Sequence, residues 1–429
     1  MKGISDMREA LVHTPDGIRD VYGDEMIRKA KVLDSIHHVF HTYNFRDIET
    51  PTFEFFNIFN KSIGSAPSNL MYKFFDRHNN TLVLRPDFTP GVARCVTKYY
   101  EKEELPIRIC YTGNVFKNEL LHQGKSNEIT EAGCELINDD TSASDAEILA
   151  LIIDCMKASG LEDFKIEIGE VEYFKGLMDE AGISGEEEDK LRGYIEMRNF
   201  FGLSEHADTL DIPESTKNAL SGFSKLFGGL EVLDKAASFT SNERALGAID
   251  RLRRVYKALS YYGYEDYVGF DFGMLNGYEY YTGVIFRGYT YGTGDAIIKG
   301  GRYNTMLTEF GKEAPSIGFT IIIDELMLAL AAQHKSPEVK PEGYLCLYVI
   351  EAQDKAVKFA AHMRSKGHKV SLIRKSVHHE LSEYEDYLDR FGIERLIFFD
   401  DSDRAIMYDG KEKTISLSGL NEFFAGGEA

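Results

Sequence analysis

The feature that most constrains the fold is a change in how apolar runs follow one another, on either side of the polar, proline-containing stretch "HKSPEVKPEG" at 334–343. Beyond it, strand-like and helix-like segments alternate: "YLCLYVI", a helical 353–366, "KVSLI", a helical 378–391, then "RLIFF". Neighbouring parallel strands need a crossover long enough to hold a helix, so this order implies a small α/β domain with a largely parallel sheet. Before it, strand-like runs come in pairs joined by short polar loops, as antiparallel strands permit. "YKFFDRHNNTLVLRPD" reads as a hairpin about His78, Asn79 and Asn80. "PIRICYTGNVFKNE" and "EITEAGCELIN" read as a second pair joined by the loop 120–127.

Helical periods frame these pairs. Ile27, Ala30, Leu33, Ile36, Val39, Phe40 and Tyr43 recur at helical spacing after Asp24, and 143–159 repeats the pattern. In "NFRDIETPTFE" the chain is extended, with Pro51 at an edge or bulge. From about 174 to 258 the texture is helical, which reads as an insertion, and strands resume at "YVGFDFG", "YEYYTGVIFRGYTY" and "GDAIIKGG". The expected class is α+β: a core over 1–333, a linker at 334–343 and a small α/β domain over 344–429.

Composition excludes several functions. The net charge is −21, and a protein that tracks a nucleic-acid backbone needs a basic surface. "RLRR" at 251–254 and "RSKGHK" at 364–369 are short and read as solvated helix faces, so no nucleic-acid partner is expected. No apolar run approaches the ~20 residues of a membrane span, and "MKGISDMREALVHTPDGIRD" has no apolar core of a secretory signal. A cytoplasmic location is expected. The five cysteines are scattered with no C-x-x-C pair, so neither a disulfide framework nor a metal site is expected. No phosphate-binding glycine motif occurs, and "LIFFDDSDRA" reads as a strand ending in a polar turn.

The informative residues are dispersed. Asp87 and Thr89 lie just past a strand-like run, beside Arg85 and Pro86. Glu131, Gly133 and Glu135 recur at period two, so both carboxylates face one side of a strand. Tyr280 and Tyr281 are expected on opposite faces of another strand. Acids and a tyrosine hydroxyl converging on a sheet face suit a small cationic or zwitterionic ligand. The same spacing also fits a solvent-facing acidic stripe and tyrosines that pack a sheet.

Five collinear segments resolve this choice: "TPDGIRDVYGDE", "LRPDFT", "VFKNE…EAGCE", "NGYEYYTGVIF" and "KGGRY…PSIGFTIIIDEL". In order and spacing they resemble the catalytic core of the histidyl-tRNA synthetase family, over roughly residues 11–330. The resemblance implies a class II antiparallel sheet flanked by helices and a dimer built partly through the segment around Pro51. It also implies roles. Asp87 stands where the synthetases carry glutamate, and Thr89 is retained. Glu131 replaces a glutamine that helps hold the α-amino group, and Glu135, Tyr280 and Tyr281 match residues around the imidazole.

Three positions depart from the synthetase pattern. Lys117 replaces an arginine that grips the activated carboxylate and α-phosphate, a point charge in place of a bidentate fork. Asn276 replaces an arginine that serves adenylation. Glu325 replaces an arginine that holds the ATP phosphates. At ~4 Å and an effective dielectric of ~20 a unit charge is worth ~4 kcal/mol, so inverting its sign works strongly against phosphate. A chain that keeps a histidine pocket and loses ATP chemistry resembles the regulatory subunits of ATP phosphoribosyltransferase. That resemblance implies a non-catalytic role in the first step of histidine biosynthesis, with L-histidine as effector and no cofactor. The implied partner is a short-form catalytic subunit in a hetero-octamer, and the chain alone is expected to dimerise through "RDIETPTFEFF". The alternatives are a divergent histidyl-tRNA synthetase and an orphan paralogue of it. The C-terminal α/β domain takes the place of the synthetases' anticodon-binding domain without a match to it in sequence.

Overall fold

The computed structural model describes residues 12–59, 67–118, 126–275, 281–402, 404–408 and 412–416. Asn276 and Tyr280 therefore lie outside the described residues. The chain divides into two units, Met1–Val21 with Arg28–Pro337 and Tyr22–Ile27 with Glu338–Ala429.

The helix α1 (Gly23–Thr42), which belongs to the first unit from Arg28 on, buries Val32, Ile36, Val39 and Phe40 along one stripe. Next come β1 (Arg46–Asp47), β2 (Phe53–Phe55), β3 (Lys73–Phe75), β4 (Thr81–Leu84) and α2 (Thr89–Tyr99). The long pair β5 (Ile107–Phe116) and β6 (Glu128–Ile137) leads to α3 (Ser142–Ala158), β7 (Phe164–Glu170) and α4 (Val171–Ala181). A helical run follows: α5 (Glu186–Glu196), α6 (Phe200–Thr209), α7 (Glu214–Gly222), the short strand β8 (Phe227–Gly228), α8 (Glu231–Ala237) and α9 (Glu243–Tyr262). Then come β9 (Val268–Asp271), β10 (Val284–Thr290), β11 (Ile298–Arg302), β12 (Ser316–Ile322) and α10 (Ile323–Ala332).

Among the described residues nine of these strands form one sheet, in the order β1-β5-β6-β12-β11-β10-β7-β9-β8. Pairing is antiparallel except for β1 with β5 and β7 with β9. The second sheet, β2-β4-β3, is antiparallel throughout. Among the described residues no helix is long and apolar enough to cross a membrane.

One apolar cluster covers a face of the large sheet. α3 is buried over most of its surface, Ile148, Leu149, Leu151, Ile152 and Ile153 among them, because it packs against both the sheet and α9. The helical run over 174–258 joins this same cluster through Leu191, Ile195, Leu203, Leu220, Ile249 and Leu252. It packs into the core's helical layer, and its short strand β8 extends the sheet. A buried ion-pair network ties sheet to helix: Arg302 donates to Asp145 Oδ1 through Nε (2.9 Å) and Nη2 (2.6 Å). Arg251 Nε donates to the other Asp145 oxygen at 2.7 Å.

The second unit alternates as the sequence implies: β13 (Tyr344–Tyr348), α11 (Gln353–Ser365), β14 (Val370–Arg374), α12 (Leu381–Phe391) and β15 (Arg395–Phe399). Two further strands, β16 (Arg404–Tyr408) and β17 (Glu412–Ser416), add an antiparallel edge, giving the order β14-β13-β15-β16-β17. β13 pairs parallel with β14 and β15. Its alternate residues face different helices. Tyr344 and Cys346 pack with Phe359 and Met363 of α11, and Leu345 and Leu347 with Tyr384 and Leu388 of α12.

Candidate functional site

The site is assembled on the face of the large sheet where β5, β6, β12 and β11 run side by side. Glu135 on β6 is opposite Gly318 on β12, and Gly133 is opposite Thr320, which in turn pairs with Lys299 on β11. Glycine at 133 and 318 is a packing requirement. A β-carbon on Gly133 would sit 2.6 Å from the Tyr111 hydroxyl, so its absence lets the Tyr111 ring lie across β6. A β-carbon on Gly318 would overlap the Glu135 carboxylate.

The loop after β4 closes one end. Arg85 is tied into the backbone, donating from Nε to the Asn114 carbonyl at 2.7 Å and from Nη1 to the Thr50 carbonyl at 2.9 Å. Its guanidinium lies 4.1 Å from the Phe88 ring centre, and Phe88 stacks on Tyr111 at 4.4 Å. These contacts fix the backbone that carries Asp87, whose Oδ1 accepts from Thr89 N–H at 3.1 Å.

Glu135, 1 % exposed, is the centre of the site. Its Oε1 accepts from Thr89 Oγ1 at 3.1 Å and from the Tyr111 hydroxyl at 3.2 Å, and the Tyr303 hydroxyl donates to Oε2. Burial pushes its pKa up to about 8, with the Asp87 charge adding to the effect and the three hydroxyls opposing it. Burial also raises Glu131 to about 7; Asp87 adds to the rise, and Lys117 and Lys299 work against it. Tyr281 is raised by burial and by the charges of Asp87 and Glu135. Lys299 is lowered, first by burial, although Asp295 favours its charge.

Asp87, Thr89, Lys117, Glu131, Glu135 and Tyr281 all line one cavity of about 270 Å³. Of the nine positions singled out in the sequence, Asn276 and Tyr280 lie outside the described residues, and Glu325 sits in the first turn of α10, away from the cavity lining. There an acid meets the positive end of the helix dipole. Its neighbour Asp324 accepts from Lys29 Nζ at 2.9 Å and from Thr130 N–H at 2.7 Å, joining α10 to α1 and β6. Tyr281 does not lie on a strand face, as the alternation implied. β10 starts only at Val284, and the Tyr281 ring instead crosses over Gly301 of β11.

Sequence reasoning missed Tyr111, Tyr303 and Lys299, all of which line the cavity. The signal for Lys299 was available: a single lysine in the apolar run "AIIKGG". Chemically the cavity offers three carboxyls, two lysines and a set of tyrosine hydroxyls within one small volume, the complement of a zwitterion with a basic side chain.

A nine-stranded, largely antiparallel sheet with a polar ligand cavity on one face defines a class II aminoacyl-tRNA synthetase-like protein. The family described as Histidyl-tRNA synthetase matches residues 17–326. The ATP phosphoribosyltransferase regulatory subunit of Acetivibrio thermocellus is 39% identical over 361 residues, 84% of this chain and 86% of that one. The regulatory subunit of Ruminiclostridium cellulolyticum is 36% identical over 403 residues, 93% of this chain and 95% of that one, a span that takes in most of the tail. Among solved structures, an ATP phosphoribosyltransferase regulatory subunit/histidyl-tRNA synthetase from Bacillus halodurans superposes with a TM-score of 0.82 at 29% identity, covering 91% of this chain and 99% of that one. The chain belongs to the family of ATP phosphoribosyltransferase regulatory subunits.

Proposed function

We propose that the chain is the non-catalytic, regulatory subunit of ATP phosphoribosyltransferase and senses L-histidine in the cavity centred on Glu135. The observation that carries the ligand reading is Glu135 itself. A buried carboxyl held by three hydroxyls, with its pKa at about 8, is matched to a partner that takes up a proton near neutral pH, as imidazole does. Tyr281, and Tyr280 by its place in the motif, complete the side-chain end. Asp87, Thr89 and Glu131 hold the α-ammonium, and Lys117 and Lys299 face the carboxylate.

The positions that handle phosphate in the synthetases carry Lys117, Asn276 and Glu325 here, which supports a protein that binds histidine without activating it. Calorimetric titration with L-histidine tests the pocket. Losing a charge-assisted partner typically costs ~1.5–3 kcal/mol, so Asp87→Ala should weaken binding roughly tenfold or more. If Asp87→Ala and Glu135→Ala both bind histidine as wild type does, the ligand sits elsewhere. The divergent-synthetase reading makes the opposite claim: histidine-dependent exchange of pyrophosphate into ATP above a protein-free blank would support it and overturn ours.

A pocket that binds without transforming acts only through a second protein, because an effector works by binding two states differently. The relatives' name supplies that partner, the catalytic ATP phosphoribosyltransferase, here in its short form and in a hetero-octamer built from dimers. The exposed Phe53, Phe55, Phe74 and Phe75 on the small β2-β4-β3 sheet support self-association through the segment after Arg46. Mixing with the catalytic subunit should raise phosphoribosyl transfer to ATP, and histidine should then suppress it. Separate peaks on size-exclusion chromatography at micromolar concentration, with the catalytic rate unchanged, would refute the partnership.

A further inference from the structure

The scattered cysteines argue against a thiolate metal site but say nothing about histidines, and a histidine pair sits at the edge of the large sheet. His37 and His41 are four residues apart on α1, so their side chains project from one helix face. The helix ends at once. Asn44 takes a left-handed φ of 61°, and Phe45 N–H bonds back to the Phe40 carbonyl at 3.1 Å. This turn brings β1, the edge strand, back alongside the last turn of α1 and sets Asp47 against both imidazoles. His37 Nδ1 is 3.3 Å from Asp47 Oδ1, and His41 Nε2 is 2.7 Å from Asp47 Oδ2.

We propose that His37, His41 and Asp47 form a binding site for a divalent transition-metal ion, with zinc as the fitting borderline ion. One ligand atom from each of the three side chains lies within 4.8 Å of the other two, and among the described residues no other trio of such side chains does so. Tetrahedral ligands at ~2.0–2.1 Å from zinc stand ~3.3 Å apart, the His37–Asp47 separation already present. Two histidines and one carboxylate leave a fourth position for water or another ligand, and within the chain His41 (52 %) and Asp47 (54 %) are half-exposed beside it.

The supporting contacts are those a metal site needs. The far nitrogen of His37, Nε2, meets Thr112 Oγ1 on β5 at 2.6 Å. With that nitrogen carrying the hydrogen, Nδ1 is left as the free lone pair facing Asp47, which is how an outer hydrogen bond fixes a ligating tautomer. Asp47 Oδ1 in turn accepts from the Cys110 thiol at 3.4 Å. Metal binding would displace the hydrogen now shared between His41 and Asp47 and clamp the end of α1 to β1. It would do so one residue along β5 from Tyr111, which reaches Glu135 in the cavity.

The test uses the full-length protein, stripped with a chelator and titrated with zinc chloride against a chromophoric competitor. Wild type should bind one zinc per chain, and His41→Ala and Asp47→Asn should each lose that stoichiometric site. Thr112→Val, which removes only the outer contact, should weaken zinc binding roughly 10- to 100-fold. Cobalt should give wild type a visible d–d spectrum that His41→Ala lacks. Because an ion bound only by the folded state stabilises it, zinc should raise the Tm of wild type and leave Asp47→Asn unchanged. His41 and Asp47 are half-exposed within the chain, and Asp47 opens the segment proposed for self-association, so the zinc-free variants are compared with wild type by circular dichroism and size-exclusion chromatography, which separates a lost site from a lost fold or a lost dimer. Zinc binding that survives both His41→Ala and Asp47→Asn, or no stoichiometric binding by wild type, overturns the proposal.

Discussion

Replacing Glu135 by glutamine should make the empty protein more resistant to alkaline conditions while impairing histidine binding. In the empty cavity the Glu135 pKa stands at about 8, against 4.5 for an unperturbed glutamate, because burial penalises its charge. Between those two values the folded chain holds a proton that the unfolded chain has released. The raised pKa therefore subtracts stability progressively as pH rises from 4.5, and the loss levels off above 8. The full shift corresponds to about 5 kcal/mol at ~1.36 kcal/mol per pH unit. Between pH 6 and pH 9, the range open to experiment, about 2.5 kcal/mol of that loss falls due.

A glutamine has no charge to bury. Its carbonyl can still accept from Thr89 and Tyr111, and its amide can donate to Tyr303, whose hydroxyl turns to accept. Urea unfolding at pH 6, 7, 8 and 9 measures the effect, followed by far-ultraviolet circular dichroism because the chain has no tryptophan. Glu131 and Glu170, also raised by burial to about 7 and about 8, contribute to both proteins, so the difference between the two pH profiles isolates Glu135. Wild type should lose about 2.5 kcal/mol more than Glu135→Gln across this range. Parallel profiles would refute the assignment of a suppressed charge at Glu135, and undiminished histidine affinity in the variant would refute its role in binding.

Lys299→Met should weaken L-histidine roughly tenfold or more yet leave histidinol, which lacks the carboxylate, unaffected; equal losses for both ligands by calorimetry would remove Lys299 from the carboxylate end. Asp145→Ala should destabilise the protein by ~3–5 kcal/mol, because it strands the buried Arg302 and the partly buried Arg251 without their shared carboxylate. A thermal melt within a degree or two of wild type would show that the network is relieved by water or rearrangement.

The legible parts of this fold are those fixed by spacing along one segment. The α/β alternation after residue 343, the β5–β6 pair and the buried stripe of α1 all follow from local period, and the structure contains each of them. β7 was not legible, although Phe164, Ile166 and Ile168 alternate inward. No element is assigned from the sequence between 159 and 174, and Glu170 caps α4 without an intervening turn, so no loop marks where the strand ends. How the helical run over 174–258 packs into the core is not legible either, because it depends on which long-range partner covers each apolar face. Sequence carries the faces and leaves out the partners.

The same division runs through the site. Glu131 and Glu135 were found because they share one strand, where a period of two puts them on one face. Tyr111, Lys299 and Tyr303 reach the cavity from β5, from β11 and from just past its end, and only the pairing register brings them to the same site. A one-residue slip of β12 would turn Gly318 and Thr320 away and place Phe319 against the carboxylate instead. The glycines carry part of that information. Gly133 and Gly318 are the positions where a neighbouring ring or carboxylate needs the space, so a glycine at period two from an acid marks the point where another strand's side chain crosses. In the sequence Gly133 stands between the glutamates of "EITEAGCE" and reads only as their spacer. Physically it is the gap through which Tyr111 reaches Glu135, and that contact is one of the three that make a fully buried carboxyl sustainable in an empty pocket.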